Sequence, residues 1–153
     1  MELILVMMLV ATVLAVAAPS LRSFARGRAE ADAAARVLSM TQLARSVSAT
    51  TGTPARLNVD PEAGLLWVTV QRGGTYVDLD TAIGNPVELP PDMGVKLELA
   101  PDQEQRNYVQ FQPDGRGEQA TIALFTAGGG VWQVVCPTDT DRFRVLKPWE
   151  GAQ

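Results

Sequence analysis

Histidine is absent from the 153 residues, and cysteine occurs once, at Cys136. The first absence removes the commonest general base and a leading metal ligand. The second excludes an internal disulfide, so Cys136 reads as a small buried hydrophobe. No histidine is available to activate it as a nucleophile. Charged residues make up only 20% of the chain against 46% hydrophobic, and the formal net charge is −4. That balance argues against a general nucleic-acid binder, which carries a basic domain or face. No Gly-x-Ser-x-Gly elbow occurs. Gly128-Gly129-Gly130 lacks the Gly-Lys-Ser/Thr of a phosphate loop and reads as a turn. Asp139 and Asp141 are too few for a calcium oxygen shell and read as a polar hairpin tip. No catalytic residue, cofactor or metal is therefore expected, and the chain is not read as an enzyme. Its length suits one domain with one modest core.

What is abundant lies at the start. Leu3 to Ala18 are apolar except for Thr12, with Glu2 immediately in front. As a helix this run would cover about 24 Å, short of a hydrocarbon core about 30 Å thick. Three readings compete. A secretory signal peptide is supported by Ala15-Val16-Ala17, a small-residue cleavage site, but Met1-Glu2 is not a basic n-region. A buried core helix is the second. A membrane anchor lacking its first residues is the third, and the following segment favours it. A helix crossing Pro19 should bend there, because proline cannot donate to the carbonyl of Ala15. Beyond it, Leu21, Phe24, Ala31, Ala34, Leu38 and Ala44 keep a helical period, widened by Val37, Met40, Leu43 and Val47. Arg22, Arg26, Arg28, Glu30, Asp32, Arg36 and Arg45 occupy the opposite face. Gly52 and Pro54 end the pattern. One continuous helix from Glu2 to Thr50 would be about 70 Å long, apolar all round in its first third and amphipathic after that.

Glu2-Leu3, the apolar run and Ala18-Pro19-Ser20-Leu21 resemble the N-terminal helix of type IV pilins and type II secretion pseudopilins. In that family a short basic leader ends in glycine, and the mature chain begins Phe-Thr-Leu-Ile-Glu or close to it. A proline commonly follows the glutamate by seventeen residues, as Pro19 follows Glu2. The resemblance implies a role for Glu2, pairing with the free N-terminal amine of a neighbouring subunit during assembly. A carboxylate at membrane depth is costly, and an ammonium partner offsets that cost. It also implies that the start of this chain lies inside its gene, because the leader, its glycine and the first mature residues are missing. Four restored residues would bring the apolar stretch to about 20, the length a span requires. A prepilin peptidase would act on the full-length precursor.

The positive-inside rule applied to Arg22, Arg26 and Arg28 would leave the following domain in the cytoplasm. The family places that domain outside, its basic leader restoring the balance. The expected location is therefore the inner membrane, single-pass, with the C-terminal domain in the periplasm.

After Pro54 the period changes to two. "ARLNVD" and "GLLWVTV" flank a "DPEAG" loop and read as a hairpin. "TYVDL", "NPVELP" and "MGVKLEL" follow. "NYVQFQ" then leads through "PDGRG" to "EQATIALFT", and "VWQVVC" and "RFRVLK" complete about eight short strands, the pattern of an antiparallel sheet pair. A long helix followed by such a domain resembles the GspH and FimT branch of minor pseudopilins and minor pilins. "VQFQPDGRGEQATIAL" resembles that branch's strand–Pro-Asp-Gly–strand hairpin, and "DRFRVL" its last strand.

The expected fold is thus α+β and pilin-like: a transmembrane segment over 1–20, its amphipathic continuation over 21–51, and an antiparallel β-sheet or sandwich domain over 52–153. The expected function is that of a minor pseudopilin, a structural subunit whose partners are other pseudopilins or pilins through the N-terminal helix. The alternative is a FimT-type minor pilin acting in pilus assembly or DNA uptake. Arg142, Arg144 and Lys147 are the candidate DNA contacts, resembling a Gly-Arg-x-Arg signature in which Asp141 replaces glycine. Two arginines and a lysine would give weak, salt-sensitive phosphate contacts, so nucleic acid is not expected as a partner. Phe143 is expected to point into the core. A simple enzyme or secreted β protein with a signal peptide is the remaining reading, and the lack of any catalytic constellation in the sequence argues against it.

Overall fold

A computed structural model describes the chain over residues 2–101 and 106–148, without the side chains of residues 2 and 16–23. The alanine-rich N-terminal half forms one helix, α1, over Glu2–Thr51. At about 1.5 Å per residue it is roughly 75 Å long. It continues through position 19; the bend expected at Pro19 lies outside the described side chains. Gly52 ends it at a φ of 65°, a left-handed conformation that only glycine takes without steric cost. Thr50 and Thr51 donate their hydroxyls back to the carbonyls of Ser46 and Val47.

The face that α1 buries is narrower than the periodicity predicts and begins later. Ala34, Val37, Thr41, Ala44 and Ser48, spaced alternately three and four apart, are fully covered together with Met40. Ala33, Leu38, Leu43 and Val47 flank this seam. Phe24, expected in the same stripe, is 71% exposed. The helical period is continuous there, but the β domain does not reach that far along the helix. The two buried hydroxyls are satisfied locally: Thr41 donates to the carbonyl of Leu38 at 2.7 Å, and Ser48 lies within reach of the carbonyls of Arg45 and Gln112.

Nine strands follow among the described residues: β1 (Ala55–Asp60), β2 (Leu65–Arg72), β3 (Thr75–Asp78), β4 (Val87–Glu88), β5 (Met93–Leu99), β6 (Tyr108–Phe111), β7 (Ala120–Thr126), β8 (Val131–Cys136) and β9 (Arg144–Leu146). They form two antiparallel sheets. The first has the order β3-β2-β1-β6, with β4 also paired to β2; the second has the order β5-β7-β8-β9. The β1–β2 hairpin closes as expected. Asp60 accepts hydrogen bonds from the backbone of Glu62 and Ala63, and Leu57 lies opposite Val68.

The hairpin expected around "PDGRG" is corrected. The turn itself forms, with Gly115 at φ 81° donating to the carbonyl of Gln112 and a single bridge between Phe111 and Gly117. Yet β6 pairs with β1 and β7 pairs with β5 and β8, so residues 112–119 carry the chain from one sheet to the other. Glu118 accepts from the backbone N–H of Gln110, and its own N–H donates to the carbonyl of Gln110. The outer edge of β6 is thereby capped, removing a site for unwanted strand pairing.

The inner faces of both sheets and the seam of α1 share one core. Leu57, Val59, Leu66, Val68, Val109, Phe111, Ile122, Leu124 and Val134 are at most 1% exposed. Phe143 also joins it, as expected, its ring 5.9 Å from that of Phe111. The other end of α1 is bare: Leu3 is 75% exposed and Leu14 62%. Among the described residues no helix is long and apolar enough to cross a membrane, and the segment expected to span, 1–20, lies partly outside them.

Met40 and Phe24 separate the two halves of the helix experimentally. In the detergent-solubilised chain, Met40→Ala should cost about 2–5 kcal/mol in urea denaturation. Phe24→Ala should stay within about 0.5 kcal/mol of the parent.

Candidate functional site

The first part of α1 presents a run of exposed apolar side chains. Leu3, Ile4, Leu5, Val6, Met7, Met8, Leu9 and Val10 are all exposed, as are Val13 and Leu14. A helix apolar all round and covered by nothing in its own chain belongs in a lipid or protein environment. Thr12 does not break this character, because its hydroxyl donates to the carbonyl of Leu9 at 2.8 Å. Glu2 is the first residue of α1, and Pro19 lies within it. The side chains of both, and hence the assembly and kink roles expected of them, lie outside the described residues.

The three candidate DNA contacts lie at and around β9: Arg142 precedes it, Arg144 is its first residue, and Lys147 follows it. All three are exposed, and Phe143, between the two arginines, is buried. Arg142 joins Arg45 of α1 at a groove of about 460 Å³ floored by Phe111, Phe143 and Ala49. Arg45 is already engaged, donating to the carbonyl of Asp141 at 2.9 Å. Asp141 in turn accepts the Thr138 hydroxyl at 2.8 Å, which ties the β8–β9 loop to itself and to the helix.

A denser polar constellation occupies the outer face of the first sheet. Alternation along β1 sends Ala55, Leu57 and Val59 into the core and Arg56 and Asn58 outward. Register then places Arg56 between Thr69 of β2 and Gln110 of β6, and Asn58 between Trp67 and Tyr108. The Arg56 guanidinium lies 3.6 Å from the ring centroid of Tyr76 and 4.0 Å from that of Tyr108. Its Nε donates to Gln110 Oε1 at 3.1 Å. Asn58 donates to the Thr69 hydroxyl at 3.1 Å. Beside them Arg106 stands over the other reach of Tyr108 and pairs with Glu118 at 3.2 Å, both side chains mostly covered. The hydrogen bond to Tyr108 is the main reason that Arg106 holds its proton more firmly than usual; burial opposes this and Glu118 adds to it.

Sequence reading did not find this face. Arg56, Tyr76, Tyr108 and Gln110 come from three strands, and no local spacing joins them. The alternation of "ARLNVD" puts Leu57 and Val59 on one face, but which strands flank Arg56 is a property of the sheet.

Comparison with known proteins bears on the whole arrangement. A family model described as type II transport protein GspH matches residues 33–145. No curated protein matches the chain in sequence. Among solved structures, the minor pseudopilin EpsH from the type 2 secretion system of Vibrio cholerae superposes with a TM-score of 0.63 at 16% identity, over 76% of this chain and 94% of that one. The E. coli GspH solution structure gives 0.60 at 17% identity, over 84% and 93%. The type IV minor pilin FimU of Pseudomonas aeruginosa gives 0.61 at 15% identity, over 85% and 97%. At these identities the likeness is one of fold.

Cys136 is buried at the end of β8, its thiol 3.0 Å from the carbonyl of Thr138. Burial raises its pKa above the ordinary thiol value, with Asp141 adding to the rise and Arg45 opposing it. The thiol should therefore resist alkylation at pH 8 in the native chain and react readily in denaturant, a difference that a mass-spectrometric time course reads directly. The unfolded state loses this proton first, so the Cys136 contribution to stability falls as pH rises above about 9. Cys136→Ala should remove that part of the alkaline decline in urea denaturation.

Proposed function

Because the chain belongs to the family of type II transport protein GspH, we propose that it is a minor pseudopilin, a structural subunit of the periplasmic pseudopilus of a type II protein secretion system. The observation that carries this reading is the division of α1. Its second part is locked under the β domain, while its first part is apolar on every side and uncovered. A subunit that packs its helix among those of other pseudopilins needs both: a fixed domain and a bare shaft. In this proposal residues 1–20 sit in the inner membrane before assembly, 21–51 continue the helix beneath the domain, and 52–153 form the periplasmic part.

Glu2 supplies the register. Apolar helices slide past one another with little preference, whereas a carboxylate near an ammonium of the neighbouring subunit fixes their axial offset. The pair also removes the cost of a lone charge at membrane depth. Pro19 allows the shaft to adjust its direction between the membrane and the domain. Prepilin peptidase acts on the precursor in this reading, and methylation follows. The work of the chain is mechanical and combinatorial: it occupies a place, presents its domain to neighbours, and performs no chemistry.

A second reading, a FimT-type minor pilin of a type IV system, is favoured by the likeness to FimU, whose TM-score lies beside those of the secretion proteins. Under that reading Arg142, Arg144 and Lys147 would contact DNA.

The first of two measurements tests the assembly role common to both readings, and the second tests DNA contact. Glu2→Gln, expressed with the other pseudopilins of its host, should insert in the membrane normally but lose at least about tenfold in cysteine cross-linking to neighbours. An undiminished cross-linking yield would sink the assembly role of Glu2. Mobility-shift assays at low salt should show no DNA binding attributable to the loop. A salt-sensitive shift lost in Arg142→Ala plus Arg144→Ala would establish the second reading instead.

A further inference from the structure

We propose that the outer face of the β3-β2-β1-β6 sheet is a docking surface for a short carboxylate-bearing segment of a partner protein, with Arg56 as its anchor. The inference rests on the reading of the chain as an assembly subunit and deepens it by naming the partner's chemistry.

The argument starts from what Arg56 has and what it lacks. Its guanidinium is held between two tyrosine rings at 3.6 and 4.0 Å, and its Nε is committed to Gln110. Among the described residues it forms no ion pair. Among the described residues nothing engages its two terminal nitrogens, which form a planar fork, the geometry that matches a carboxylate through two parallel hydrogen bonds. Ring stacking has already restricted the side chain, so little rotamer freedom is left to lose on binding. The neighbouring arginine is different: Arg106 pairs with Glu118, whereas Arg56 has no ion pair among the described residues, Asp78 of the same cross-strand row included.

Composition of the face points the same way. Trp67, Tyr76, Tyr108 and Arg56 stand half-buried around it. Tryptophan, tyrosine and arginine are the side chains that dominate binding energy at protein interfaces. Both tyrosine faces nearest Arg56 are occupied by its guanidinium, so they are not free to stack on sugars or bases. Charge excludes a long polyanion as well. Residues 52–153 carry fourteen acids against eight basic residues, so a nucleic acid would be repelled over most of the domain. A brief acidic segment meeting only the Arg56 cluster avoids that repulsion.

The test uses the full chain in detergent micelles and a fluorescein-labelled peptide, Gly-Ser-Asp-Glu-Ser-Gly, titrated by anisotropy at low salt. The parent should bind it, and the counterpart with Asn and Gln in place of Asp and Glu should bind at least about tenfold more weakly. Arg56→Met retains the apolar stem between the rings and should lose at least about tenfold in affinity with an unchanged thermal midpoint. Arg56→Lys retains the charge without the fork and should fall between the two. Arg142→Gln plus Arg144→Gln should bind like the parent. Equal affinity of parent and Arg56→Met would overturn the proposal. So would indifference to the peptide's carboxylates, no binding up to about 5 mM, or a preference for a single-stranded oligonucleotide that depends on Arg56. None of these readings involves Glu2 or the bare shaft, so failure here is distinct from failure of the assembly role.

Discussion

The structure depends on the seam by which α1 enters the core. Ala34, Val37, Met40, Thr41, Ala44 and Ser48 are covered by strands from both sheets, and those sheets have their own inner faces closed by the helix. Small residues at 34, 41, 44 and 48 let the backbone approach closely, while Val37 and Met40 fill the space between. Neither sheet would stay dry without the helix. The helix in turn, isolated in water, would have little beyond propensity to hold it in one place. Packing that locks one half of a long helix leaves the apolar side chains of the other half uncovered by the β domain, and the proposed assembly role rests on that division.

Polar chemistry is distributed in a way that supports an architectural role. Buried hydroxyls on the helix satisfy themselves against its own carbonyls. The one cysteine is covered and held as a neutral thiol. Glu118 serves two structural purposes at once, capping the edge of β6 and neutralising Arg106. Against this background Arg56 stands out: it is stacked between two tyrosine rings and has no ion pair among the described residues. The prominent polar group lies half-buried on the outer face of the first sheet.

Much of the fold was legible before any coordinates. The apolar run, the amphipathic continuation and the Gly52–Pro54 stop are local signals, and each corresponds to an observed feature of α1. The change from a helical period to a period of two located the β domain, and the Asp-Pro-Glu-Ala-Gly loop closed as a hairpin. Phe143 was expected in the core and lies there. The errors share a cause. Phe24 continues the helical period as well as Ala34 does, but burial depends on how far the sheets extend along the helix. The "PDGRG" turn looks like a hairpin and locally is one, yet the strands on either side belong to different sheets.

Periodicity and turn chemistry act over a few residues, so the amino-acid sequence by itself determined which segments are helix and strand and which of their faces are apolar. Those same signals identified an N-terminal segment unable to satisfy itself in water. Strand partnership, sheet membership and the limit of the buried seam arise from contacts between residues far apart in the chain, and only the tertiary structure decided them. The Arg56 cluster shows why: Tyr76, Tyr108 and Gln110 lie 20, 52 and 54 residues away in sequence, and only the pairing of β1 with its neighbours brings them to one guanidinium.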